Sequence, residues 1–161
     1  MITTILSDFA RVILNPKDKN YTGTLNELHK NLSIKNMNYS FFDYFEFNNE
    51  ILNLYRQLKT KYSVNIFTTG TIQNRSEVRQ IINPIFDHIY SAKDYGLNKK
   101  QSDAYLFIAN KLNKKPNEII FIDDQVNNIT AAKKAGLYTI NYLNFQETVS
   151  LLKKYLNSYK E

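Results

Sequence analysis

Apolar positions along the chain fall into two alternating rhythms. Ile2–Leu14 is an apolar run holding one acid, Asp8, and it closes on Asn15-Pro16, a loop signal. A run that is apolar on both faces predicts a central parallel strand. Shorter runs of the same kind lie at Ser63–Phe67, Phe86–Ser91, Glu118–Ile122 and Tyr138–Tyr142. Between them the spacing changes to three and four. Leu25, Leu28 and Leu32 share a face behind Thr24, with Glu27 at the capping-box position. Ile51, Leu52, Tyr55, Leu58 and Tyr62 repeat behind Asn48, a second capping residue. Further helices are predicted at about 74–82, over 102–112, over 126–135 with Gly136 as the stop, and over 145–155.

Strands alternating with helices imply right-handed βαβ units and a parallel sheet covered on both faces. The predicted fold class is α/β, a Rossmann-like doubly wound sheet of about five strands. In such sheets ligands bind beyond the carboxyl ends of the strands. Four polar residues sit near those ends: Asp8 within the first, Thr68 after the second, Asp123 and Asp124 after the fourth.

Length and composition narrow the picture. The 161 residues make about one domain, with 43% hydrophobic and 22% charged residues, an ordinary globular balance. No stretch approaches the roughly 20 apolar residues of a membrane span. The first residues carry Asp8 and no basic leader pattern, so they read as a buried strand rather than a signal peptide. The absence of cysteine excludes disulfides and thiolate chemistry and fits a cytoplasmic location. His29 and His88 are too few and too isolated for a zinc cluster. A net charge of +6 suits an anionic partner, although in a Lys/Asn-rich chain lysines chiefly solvate the surface.

The acids carry the chemical argument. A lone buried carboxylate costs several kcal/mol unless it is paired or metal-bound. Adjacent carboxylates at one sheet edge repel each other unless a hard divalent cation neutralises them. Magnesium takes oxygen ligands and keeps places for water and a substrate phosphate. Any one of the three acids would be explained by capping the helix that follows it. Three together, joined by Thr68 and a lysine, point to a metal and phosphate site.

The motifs resemble those of the haloacid-dehalogenase-like (HAD-like) hydrolases, in matching order along almost the whole chain. ILSDFARVIL resembles the first motif, NIFTTG the second, DHIYSAKDYGLNKKQSDAY the third and FIDDQVNNITAAKKAGL the fourth. The fourth has the Asp-Asp-x-x-x-Asn form of the glucose-1-phosphatase-like and epoxide-hydrolase N-domain-like branch. The resemblance implies a strand order of 5-4-1-2-3, counting the five strands along the chain. It also implies Asp8 as nucleophile and metal ligand, Thr68 as the phosphoryl-holding hydroxyl and Lys99 as the lysine steadying both. Lys100, which stands where relatives usually place proline, is the alternative lysine if the register slips by one. Mg²⁺ would be held by Asp8, the Ala10 backbone carbonyl and Asp124, with Asp123 and Asn128 supporting its shell. Thr69, Gly70 and Arg11 would bind substrate.

One position departs from that pattern. The family's phosphatases usually carry a second aspartate two residues after the nucleophile as general acid/base, and here Ala10 stands there. A positioned acid/base is typically worth about 10²–10⁴ in rate. Residues 15–46 leave room for only a minimal helical cap, so a single domain spanning 1–161 with a reduced cap insertion and an open site is expected. The segment SFFDYFEF reads as core packing in preference to a base-stacking platform.

The function these features imply is a magnesium-dependent phosphatase acting on a small phosphorylated metabolite through an aspartyl-phosphate. A weakened or inactive HAD-like domain that binds a phosphate ligand or partner is the alternative, and a nucleic-acid end phosphatase the weaker one. No membrane association is expected; a homo-oligomer, or a lid supplied by a partner subunit, is compatible with the small cap.

Overall fold

A computed structural model of the chain describes residues 1–157. Five parallel strands form the central sheet: β1 (Thr4–Ser7), β4 (Ser63–Thr68), β5 (His88–Ser91), β6 (Ile119–Asp123) and β7 (Tyr138–Asn141). The remaining strands, β2 (Leu14–Pro16) and β3 (Phe45–Phe47), pair antiparallel in a separate ribbon. The sheet order is β5-β4-β1-β6-β7. Counted among the five parallel strands and read from the β7 edge, this is fifth, fourth, first, second, third, with the Asp8 strand in the middle.

Helices cover both faces. They are α1 (Leu25–Lys35), the single turn α2 (Phe41–Tyr44), α3 (Asn49–Leu58), α4 (Ser76–Ile82), α5 (Ser102–Lys111), α6 (Val126–Lys134) and α7 (Phe145–Asn157). On one side Ile5, Val64, Ile66 and Ile122 pack with Ile51, Tyr55 and Val78. On the other, Leu6, Phe67, Ile119 and Phe121 pack with Tyr105, Ile108 and Ala132. Alternate residues of β1 thus feed opposite layers, as the two-residue period of a strand requires.

The local signals formed as expected in most places. Thr24 and Glu27 make a complete capping box on α1, and Asn48 accepts the Ile51 N–H at the start of α3. Gly136 closes α6 at a φ of 93°, a backbone conformation that favours glycine.

Three boundaries differ. The run Ile2–Leu14 is not one strand: the chain leaves the sheet after Ser7 and turns back on itself, with the Ile13 and Leu14 N–H groups donating to the Phe9 carbonyl. Val12 and Ile13 remain buried, so the apolar run marks continuous burial rather than continuous extension. The third parallel strand starts at His88, and the helix from about residue 74 is a 3₁₀ turn followed by α4.

The insertion between β1 and α3 contains α1, α2 and the β2–β3 ribbon. Pairing Leu14 with Phe47 and Pro16 with Phe45 closes its base. Its aromatic segment is divided between Phe41 and Phe45, which are buried and stacked, and Phe42 and Tyr44, which stay partly exposed. Among the described residues no helix is long and apolar enough to cross a membrane.

Candidate active site

The carboxyl ends of β1, β4 and β6 bring their polar residues to one point. Asp8 follows β1, Thr68 ends β4, Asp123 ends β6 and Asp124 comes next. One carboxylate oxygen each from Asp8, Asp123 and Asp124 lies within 4.8 Å of the others. Asp8, Thr68 and Asp123 are buried and Asp124 is half-buried.

Lys99 enters this cluster from the loop before α5 and is itself buried. Its ammonium donates to Asp8 Oδ1 at 2.7 Å and to the Phe67 carbonyl at 2.9 Å, and lies 3.0 Å from Asp123 Oδ2. The loop is anchored from below by the Tyr105 hydroxyl, which donates to the Lys99 carbonyl at 2.8 Å. Lys100 is exposed, so Lys99 is the lysine that meets the carboxylates.

Asp123 is saturated by neighbours: Oδ1 accepts the Gln125 N–H at 2.7 Å and Oδ2 accepts Asn128 Nδ2 at 3.0 Å. These bonds hold the turn into α6 and fix Asp123 beside Lys99. Asp124 accepts from the exposed Gln125 side chain at 2.7 Å and lines the cavity.

Opposing influences act on the charges. Burial pushes the Asp8 carboxyl up to about 7, the Lys99 ammonium opposes the rise and the Asp123 charge adds to it. Burial alone would lower the Lys99 pKa, but Asp8 and Asp123 outweigh it and hold it above the usual lysine value. Lys99 therefore stays charged, and its direct contact favours the anionic form of Asp8. Burial also raises the Asp124 carboxyl. One ammonium among three carboxylates leaves an excess of negative charge, all on hard oxygen donors, which is the demand a divalent cation satisfies.

The phosphate-loop residues are braced from behind. The Gly70 carbonyl accepts Gln73 Nε2 at 2.8 Å and Ser91 Oγ at 2.6 Å. Neither the Thr69 nor the Gly70 N–H has a partner among the described residues. Gly70 lies in close approach to the Asn26 side chain of α1, which would have to shift to admit a Cβ there.

A cavity of about 560 Å³ opens above the cluster, lined by Asp8, Ala10, Thr68, Lys99, Asp124 and Asn128, among others. Ala10 lies on its wall, and among the described residues Asp8 and Asp124 are the only carboxylates lining it. No described side chain replaces the acid expected at position 10. Arg11 also borders the cavity, but its Nη2 donates to the Tyr21 and Gly23 carbonyls at 2.9 and 2.6 Å. It pins the loop that leads into α1, from a left-handed φ of 60°.

Sequence reasoning did not find Thr24, Leu25 and Asn26, which line the same cavity from the first turn of α1. Their signal was present in the capping box, which fixes where that helix begins, but its contact with Gly70 is a matter of tertiary packing. Gln73 and Ser91 were likewise missed, because bracing a carbonyl leaves no motif.

Comparison with known proteins establishes the family. The haloacid dehalogenase-like hydrolase family model matches residues 8–136, from Asp8 of the first motif to Gly136 of the fourth. The chain belongs to that family. Rat bifunctional epoxide hydrolase 2 is 28% identical over 100 residues, 58% of this chain and 18% of the relative, in keeping with the Asp-Asp-x-x-x-Asn branch. The matched part is therefore less than a fifth of that relative's length. Among solved structures, a HAD family enzyme from Bacteroides thetaiotaomicron in a magnesium complex superposes with a TM-score of 0.65 at 16% identity, over 88% of this chain and 93% of that one. A 2-haloacid dehalogenase from Pseudomonas syringae pv. tomato gives 0.61 at 12% identity, over 88% and 86%. Both are alike in fold.

Proposed function

We propose that this hydrolase is a magnesium-dependent phosphatase acting on a small phosphomonoester, with Asp8 as the nucleophile. The observation that carries the reading is the convergence of three carboxylates around one buried ammonium beneath an open cavity. That excess negative charge calls for a divalent cation, and magnesium keeps coordination places for the oxygens of a substrate phosphate. The magnesium-bound enzyme from Bacteroides thetaiotaomicron supports the same choice of metal.

Asp8, Asp124 and the Ala10 carbonyl would hold the ion, with Asp123 and Asn128 fixing the turn beside it. When bound, magnesium offsets charge on the phosphoryl oxygens. The protein's own groups do the rest. Thr68 and the unpartnered N–H groups of Thr69 and Gly70 orient the phosphoryl group, and Lys99 offsets its charge. An Asp8 carboxylate oxygen attacks phosphorus in line, the phosphorus–oxygen ester bond breaks, and the leaving alkoxide takes its proton from water. Water then attacks the phosphorus of the aspartyl-phosphate, breaking its bond to Asp8 and releasing inorganic phosphate.

Ala10 shapes the rate. With no carboxylic acid beside the leaving oxygen, alkoxides of high pKa depart slowly, and good leaving groups are favoured. The same residue supports the second reading, a weakened domain that binds a phosphate ligand or a partner. Phosphate release from p-nitrophenyl phosphate and a metabolite panel, with magnesium, tests the choice. Wild-type turnover that disappears in Asp8→Asn is the expected result. Equal release by both proteins across the panel would favour the binding role.

A further inference from the structure

A second cavity of about 440 Å³ adjoins the first, sharing Asn26, Thr69 and Leu97 with it. Its remaining walls are His29, Lys30, Gly70, Thr71 and Lys93. Two features set it apart. Among the described residues no acid lines it, and its two lysines come from separate elements on either side of the phosphate loop.

Asn26, His29 and Lys30 are spaced three and four residues apart on α1, so they share one helix face. That face is held against the loop by the close approach of Asn26 to Gly70. Lys93 is placed from the opposite side, where its backbone N–H donates to the Thr69 carbonyl at 3.2 Å. Lys19, Lys59 and Arg75 each meet a carboxylate, Glu46, Asp87 and Glu77 respectively. Neither Lys30 nor Lys93 has an acid partner among the described residues. His29 is anchored through Nδ1, 2.6 Å from the Tyr39 hydroxyl, which fixes its ring as part of the wall.

We propose that this cavity receives a second anionic group of the substrate, a phosphate or a carboxylate, held by Lys30 and Lys93 with Asn26 between the two sites. The inference rests on the phosphatase reading and deepens it: the substrate class becomes a short-chain or single-ring metabolite with two anionic ends. The reacting phosphate sits over Asp8, and the other end crosses Asn26 and Thr69 into the lysine-lined cavity. A basic subsite acts on such a ligand by direct charge attraction, which a ligand with a single anionic end forgoes.

Titration calorimetry of the full chain in saturating magnesium tests this without requiring turnover. The probes are propyl phosphate, 4-(phosphonooxy)butanoate and propane-1,3-diyl bisphosphate. The bisphosphate should bind about tenfold or more tighter than propyl phosphate, a difference of about 1.4 kcal/mol. The carboxylate probe distinguishes the two anions: binding as tight as the bisphosphate assigns a general anion site, and binding like propyl phosphate assigns a phosphate site. In Lys30→Gln/Lys93→Gln the preference should fall to near unity. Lys93→Glu should reverse it, which guards against a variant that has merely loosened, and both variants should keep the wild-type melting temperature. Equal affinity for propyl phosphate and the bisphosphate in wild type would overturn the proposal. So would a preference that survives in the double variant, or tighter binding of a 5′-phosphorylated oligonucleotide than of the bisphosphate. Failure of the phosphatase reading shows separately, as absent p-nitrophenyl phosphate turnover, and leaves these binding ratios readable.

Discussion

The ends of β1, β4 and β6 and the insertion over residues 15–47 face the same cavity, yet they are built on opposite principles. At the strand ends Asp8, Asp123 and Lys99 are buried and answer one another, and only Asp124 is left half-exposed at the cavity. Lys99 bridges Asp8 and Asp123, Asn128 and the Gln125 N–H hold Asp123, and Tyr105 holds the lysine's loop. In the insertion the polar groups are largely exposed and few are bonded to the core. Arg11, Arg75 and Asn48 are the attachments that matter. Arg75 lies 4.8 Å from the Tyr39 ring and 5.4 Å from the Phe41 ring, pairs with Glu77 at 2.5 Å and so clamps the aromatic segment to α4. Buried, mutually dependent charges tolerate little change, because removing one strands the others. Exposed groups on a short insertion can vary at low cost. On the proposed function, chemistry is held in the first region and selection of the ligand in the second.

The largest effect should come from Lys99→Met. It leaves Asp8 and Asp123 facing each other without a cation, and breaking such a buried pair costs about 3–5 kcal/mol. Urea unfolding in the presence of a chelator measures it, and magnesium should restore part of the loss. A loss below about 1 kcal/mol in chelator would mean that the cluster is not electrostatically interdependent.

Next is Ala10→Asp, which restores a carboxylic acid on the cavity wall. Turnover of alkyl phosphates should rise about 10²-fold, toward the lower end of what a positioned acid/base supplies. The gain should be smaller for p-nitrophenyl phosphate, whose leaving group needs no proton. An equal gain for both substrates would show that position 10 acts through something other than proton transfer.

The smallest effect lies in the insertion. Thr24→Ala removes the capping box of α1 and should cost about 1 kcal/mol, read as a fall in urea midpoint. A loss matching that of Lys99→Met would erase the contrast between the two regions.

These contrasts also explain what the sequence made legible. The carboxylate cluster was visible because its residues are chemically improbable where they stand: a carboxylate inside an apolar run, and an acid pair at the end of another. The βαβ alternation placed those positions at one edge of the sheet before any contact was known, and the expected strand order followed from the motif resemblance. The turn through Phe9–Ile13 was not visible, because burial looks the same in a strand and in a buried loop. The β2–β3 ribbon escaped because each strand is only three residues long. Arg11 looked free to meet a phosphate, but two carbonyls of a loop ten to twelve residues away take its guanidinium. Asn26 gave no signal at all until α1 was seen resting on Gly70.

The central claim is that Asp8, Asp124 and the Ala10 carbonyl hold magnesium in the folded protein, with Asp123 supporting them. Thermal unfolding with and without magnesium tests it directly, since an ion that binds only the native state stabilises it. At about a hundred times its Kd the ion should contribute about 2.7 kcal/mol, a rise in Tm of about 5–10 °C for a chain of this size. Asp124→Ala should lose that rise. An unchanged wild-type Tm at millimolar magnesium, or a rise that persists in Asp124→Ala, would contradict the account.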